Sequence, residues 1–189
     1  CTVLHNIVHH NGHTGIAITG AAGKKVAPRI ARNVCYRNMG GGIGSMNGST
    51  ALIEQNTCFE NFHAGIGCEA SSPLLKNNTC HGNIRAGIGI SEGSSPKVTG
   101  NRCFKNRRAG IGIRTGGDTR PVVDGNECSE NDMAGIGVEE GARPDIRRNR
   151  LIGNKLVAIG VTGGSRAIIA DNDIAREGGA PPMIAVLDK

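Results

Sequence analysis

The chain has 189 residues, with 30 glycines, seven cysteines, one Tyr, three Phe and no Trp. That composition excludes a core held by aromatic packing, and glycines at fixed places without a G-X-Y period exclude collagen and disorder. The net charge of +6, from 22 basic and 16 acidic residues along the whole chain, comes without clustered Lys/Arg interleaved with aromatics, so nucleic acid is not an expected partner.

An Asn opens each of eight copies of one frame, at Asn6, Asn33, Asn56, Asn78, Asn101, Asn126, Asn149 and Asn172, spaced by 27, 23, 22, 23, 25, 23 and 23 residues. A self-similar period of this length marks a solenoid. Five residues on stands a second Asn (Asn11, Asn38, Asn61, Asn83, Asn106, Asn131, Asn154), replaced in the last copy by Glu177. An aliphatic residue precedes the first Asn by three places, from Val3 and Ile30 through Ile169. Two places after it come Val8, Cys35, Cys58, Cys80, Cys103, Cys128, Leu151 and Ile174, and ten places after it an Ile in seven copies. Each copy therefore holds three short runs of period-two alternation, the pattern of half-buried strands. One of them is opened by Pro28, Pro73, Pro96, Pro121 or Pro144. The expected fold is all-β: a right-handed parallel β-helix (solenoid) of about eight coils, with three short strands per coil. Irregular coil lengths and unequal turns favour the right-handed form over the stricter left-handed one. At one strand spacing per coil the rod is on the order of 38 Å long. Stacking turns each aligned column into a ladder, and Asn ladders suit corners because their amides satisfy the bent backbone.

Along the chain, the first coil carries the longest turn, Gly20 to Ala27, with Lys24 and Lys25 at its tip. Coil five inserts two residues around Gly116–Arg120, and the last coils drift, with Leu151 and Ile174 in the Cys column and Ala158 in place of Gly. The unbroken repeat gives one domain, 1–189. The start at Cys1 and the finish just after a strand-like Ile184–Ala185–Val186 leave open solenoid ends, so an excerpt of a longer chain is expected. No apolar run has membrane length.

Five cysteines share one inward column, Cys68 sits on another, and no CxxC pair exists. Side chains stacked in register point the same way, which suits a disulfide badly. A buried, reduced thiol ladder is expected, with no metal or cofactor site.

Function on such a scaffold falls to loops and outward positions. Alternation around the Ile of each AGIGI run places two glycine rows outward: Gly15, Gly42, Gly65, Gly87, Gly110 and Gly135, then Gly44, Gly67, Gly89, Gly112, Gly137 and Gly160. Gly87, Gly89, Gly110 and Gly112 are the candidate docking face; relief of crowding is the other reading. Beside it runs the column His13, Gly40, His63, Arg85, Arg108, Met133, Leu156, and on the far side lie Glu69, Glu92, Glu139 and Glu140. Such a floor and walls make either a groove for an extended polymer or a solvated charge pattern; the walls stand about 20 Å apart along the strand, too far to share one acid–base step. His63, Arg85, Arg107 and Arg108 are the candidate ligand-binding residues, since Arg forks suit carboxylates. A third outward column, His9, Tyr36, Phe59, His81 and Phe104, stacks on sugars, meets a partner, or shields the sheet.

The NxCxxN…GIGI…PxI frame resembles the parallel β-helix repeat family, which includes carbohydrate-binding and sugar hydrolase domains. The resemblance covers nearly the whole chain and implies the right-handed β-helix. It also implies an extracytoplasmic location, and it spans polysaccharide lyases, mannuronan epimerases, periplasmic proteins of nitrous-oxide-reductase maturation and substrate-binding regions of F-box proteins. Family lyases and epimerases use outward carboxylates, for Ca²⁺ or charge neutralisation, with a Lys, Arg, His or Tyr base. Glycine occupies that face here, so no catalytic residue is carried over. The expected function is a non-catalytic β-helix scaffold binding an extended, acidic polysaccharide. The alternatives are a lyase, hydrolase or epimerase with its catalytic coils elsewhere or around Arg85 and Arg108, and a protein-interaction module docking a protein partner on the glycine face.

Overall fold

A computed structural model describes residues 1–21, 24–175 and 183–187. Glu177, and Ala22 and Gly23 in the long first turn, lie outside the described residues. Among the described residues the period-two runs form 24 short strands. One coil is represented by Leu74–Lys76, Thr79–His81 and Ile88–Ser91. Each strand pairs in parallel with its counterparts one coil away, giving three sheets of eight strands. Register follows the sequence columns: Cys80 pairs with Cys58 and Cys103, and Ile88 with Ile66 and Ile111. Among the described residues there is no helix, hence none long and apolar enough to cross a membrane.

Each ladder Asn follows a residue in the left-handed region. Arg32, Gln55 and Asn77 do so at the first corner, with φ of 55°, 55° and 53°, and Arg37, Glu60 and Lys105 at the second, with φ of 50°, 52° and 53°. A non-glycine there costs on the order of 1–2 kcal/mol. The ladder offsets this by satisfying buried backbone. Asn56 Nδ2 donates to Ile30 O at 2.9 Å and to Asn78 Oδ1 at 3.0 Å, and its backbone N–H donates to the same Oδ1. Asn61 repeats this with Cys35 O and Asn83 Oδ1. The third corner uses a hydroxyl ladder instead. Ser94 accepts from Ser71 N–H, Thr119 from Gly93 N–H and Ser165 from Gly141 N–H.

Between the sheets lies a thin aliphatic and thiol core, in which Ile53, Leu75, Cys80, Ile88 and Val98 are 0% exposed. All seven cysteines are free of disulfides, and only Cys1 is exposed. Hydrogen bonds between neighbouring thiols, reinforced by burial, hold Cys35, Cys80 and Cys128 well above the ordinary thiol range, while the same contacts pull Cys58 and Cys103 down against burial. Burial pushes Cys68 up to about 12, aided by nearby Glu69. These sulfurs are packing material.

The glycine rows part company. Gly42, Gly65, Gly87, Gly110 and Gly135 are buried, not outward. They sit before or at the start of the strand, wedged between the Asn and Cys columns of the neighbouring coil. A Cβ on Gly87 would lie 2.8 Å from Gly110 O, 2.9 Å from Asn106 Nδ2 and 3.0 Å from Cys103 Cβ. Gly87 and Gly110 therefore belong to the corner packing and to no docking face. Gly89 and Gly112 lie on the outer surface, where a Cβ would meet only Ala64 and Ala86 at ordinary contact, 3.5 Å.

Candidate binding groove

Because the outward positions of the third sheet are glycine, its surface sinks between the side chains of the two adjoining turns. The result is a groove of about 240 Å³. Gly44, Gly67, Gly89, Gly112 and Gly137 floor it, with Ala64, Ala86, Ala109 and Ala134 alongside.

Backbone hydrogen bonds hold each wall in register. On one side Arg85 N–H donates to His63 O, Arg108 N–H to Arg85 O and Met133 N–H to Arg108 O. On the other, Glu69 pairs with Met46 and with Ser91, Arg114 N–H donates to Ile90 O and Glu139 N–H to Ile113 O. Coil by coil the groove is faced by His63 and Glu69, Arg85 and Ser91, Arg108 and Arg114, then Met133 and Glu139.

Outside the groove several cations pair with carboxylates of neighbouring coils, Arg37 with Glu60 at 2.7 Å, Arg102 with Glu127 at 3.2 Å and Arg148 with Asp124 at 2.6 Å, while others such as Lys76 and Arg143 do not, among the described residues. Among the described residues Arg85, Arg108 and Arg114 have no carboxylate within 4.0 Å. Arg85 and Arg108 stand one coil apart, where like charges repel by about 1 kcal/mol even in water. An anion between them relieves that repulsion. Burial, then the Arg85 charge, lowers the His63 pKa below its ordinary value, while Glu69 opposes the shift. The balance favours the neutral form of His63.

Of the residues singled out in the sequence, the groove gathers His63, Arg85, Arg108, Gly89 and Gly112. It does not gather Arg107, which lies at the preceding corner and is not among the groove's lining residues, nor the buried Gly87 and Gly110. Glu92 and Glu140 occupy the next corner with φ of 56° and 57°, leaving Glu69 and Glu139 as the acidic members. Sequence reading missed Arg114. The signal was present, since Met46, Glu69, Ser91, Arg114 and Glu139 share one column, but that column was read only for its acids.

The aromatic column faces outward as a continuous stack. Centroids of His9, Tyr36, Phe59, His81 and Phe104 are 4.8, 4.9, 5.1 and 4.8 Å apart in turn, with planes within 17°. Arg102 lies over Phe104 at 4.8 Å. The inner ring faces are used on one another, so the ladder shields the second sheet.

The right handed beta helix region family model matches residues 1–119, and that of the periplasmic copper-binding protein (NosD) matches residues 74–184. Among the described residues no three His, Cys, Asp or Glu side chains gather to hold a metal ion, so the donor set does not fit copper. No curated protein matches the sequence. Among solved structures, the A-module of an Azotobacter vinelandii mannuronan C-5 epimerase superposes with a TM-score of 0.68 at 13% identity, over 88% of this chain and 57% of that one. A variant of a periplasmic alginate epimerase gives 0.65 at 16% identity, over 93% and 48%. A pectate lyase gives 0.53 at 12% identity, over 97% and 68%. The chain thus spans about half the length of these epimerases, and at such identities the likeness is one of fold.

Proposed function

This chain belongs to the right-handed β-helix/NosD family, and from that premise we propose that it is a non-catalytic scaffold whose groove on the third sheet binds an extended, acidic polysaccharide. The observation that carries the reading is the set of three guanidinium groups without carboxylate partners above a floor of glycine and alanine. A flat floor admits a sugar ring close to the backbone, and Arg forks take its carboxylate. The resemblance in fold to two epimerases of uronate polymers and a pectate lyase supports a carbohydrate ligand. Residues 1–189 act as one domain in this reading.

Titration with an oligouronate and a neutral oligosaccharide, at low and high salt, tests it. The oligouronate binds, salt weakens it, and Arg85→Ala with Arg108→Ala removes most of the binding. Equal binding of both sugars, or binding unchanged in the double variant, overturns it.

One observation favours an enzyme instead. Neutral His63 beside Arg85 joins a base to a charge neutraliser, the pair needed to remove a proton next to a carboxylate. An unsaturated, ultraviolet-absorbing product from a uronate polymer, lost in His63→Ala, decides for that reading.

A further inference from the structure

The groove's charge changes along its axis, and the change has a definite length. Coil three presents Glu69, coils four and five present Arg85, Arg108 and Arg114, and coil six presents Glu139. The cations approach from both walls: Arg108 and Arg114 flank Gly112 within a single coil, so an anion over Gly89 and Gly112 is reached from two sides. The carboxylates stand three coils apart, about 14 Å along the axis.

We propose that this groove selects a short acidic segment, two or three charged units long, clamped by Arg114 opposite Arg85 and Arg108 and bounded by Glu69 and Glu139. The proposal rests on the polysaccharide reading above and sharpens it from polyanion to acidic block. An extended uronate chain advances by about one coil spacing, about 5 Å, per sugar. Two or three carboxylates therefore fill the cationic stretch. The next in either direction lies beside Glu69 or Glu139, where like charges repel and reject the ligand. Uncharged sugars meet no such penalty over Met46 or Met133, which line the groove at coils two and six. Arg114 and the two glutamates are thus specificity-determining residues.

The test is calorimetric titration of the whole chain with oligouronates from dimer to octamer at low salt, corrected for the number of binding registers. Affinity rises to the trimer and then levels or falls. Arg114→Gln weakens the trimer about tenfold, of the order of one charge-assisted hydrogen bond. Glu69→Gln with Glu139→Gln strengthens the octamer by about threefold or more and leaves the trimer within about twofold. All three side chains sit on the outer surface, and an unchanged urea midpoint confirms that the variants fold. Affinity that climbs steadily to the octamer, or an octamer indifferent to the two glutamate substitutions, overturns the proposal while the groove reading stands. An absence of oligouronate binding by the unaltered chain overturns both.

Discussion

Arg108 and Arg114 stand on opposite walls of one groove, six residues apart in a single coil, with Gly112 on the floor between them. Neither reaches a carboxylate within 4.0 Å among the described residues, although most coils stitch such pairs to their neighbours. Three guanidinium groups therefore face this groove without a paired carboxylate, between Glu69 at one end and Glu139 at the other.

The two glycine rows should respond oppositely to a methyl group. A Cβ on Gly110 would lie 2.8 Å from both Cys128 Cβ and Gly135 O, whereas one on Gly112 meets Ala86 at 3.5 Å. Gly110→Ala is expected to cost about 1–3 kcal/mol or more, as overpacked cores do, and Gly112→Ala less than about 0.5 kcal/mol. Urea unfolding of both variants measures the difference. Gly110→Asp, which an outward position would tolerate, should prevent folding.

Removing one rung of the Asn ladder strands donors in a dry interior. Asn83 Oδ1 accepts from both the backbone N–H and Nδ2 of Asn61, at 3.0 Å each. Asn83→Ala should therefore cost about 3 kcal/mol or more, since each unsatisfied buried group costs about 1–3 kcal/mol. A loss below about 1 kcal/mol in denaturant titration would mean that the ladder follows the fold and does not hold it.

Thiol chemistry should distinguish the exposed cysteine from the column. Cys1 is exposed and the other six are buried, so a thiol reagent should modify one site quickly and six only on unfolding. Cys80→Ser puts a hydroxyl into the apolar stack and should cost about 1–3 kcal/mol.

His81 supplies a pH dependence with a definite sign. It lies between the rings of Phe59 and Phe104, and burial, first among its influences, lowers its pKa below the ordinary 6.5, with Arg102 and Lys105 acting the same way and Glu60 against. A histidine held neutral by folding stabilises fully above its unfolded value, about pH 6.5. That stability is lost as pH falls through the lower folded value. Unfolding midpoints should decline below about pH 6.5 and decline less steeply in His81→Phe.

Much of this was legible because a parallel solenoid converts sequence columns into contacts. The Asn corners, the Cys column, the register of Ile88 with Ile111 and the groove column of His63, Arg85 and Arg108 all follow from alignment alone. Period-two alternation failed at Gly87 and Gly110 because it holds only within a strand, and the corner turns the chain before the pleat begins. The hydroxyl ladder through Ser94, Thr119 and Ser165 escaped notice because coil five's insertion shifts Thr119 by two places. Arg114 escaped for a different reason: its column changes sign from coil to coil, and only the fold shows that such a column is one wall.

The central claim is that Arg85, Arg108 and Arg114 form one anion site, and the arginine Nε–Hε resonances report on it directly. During titration of the isotopically labelled chain with an oligouronate trimer, those three signals should shift together and saturate at one concentration, while Arg102 and Arg150, already paired with Glu127, stay in place. Equal shifts at the paired arginines, or silence at Arg114 while Arg85 and Arg108 respond, would contradict the account.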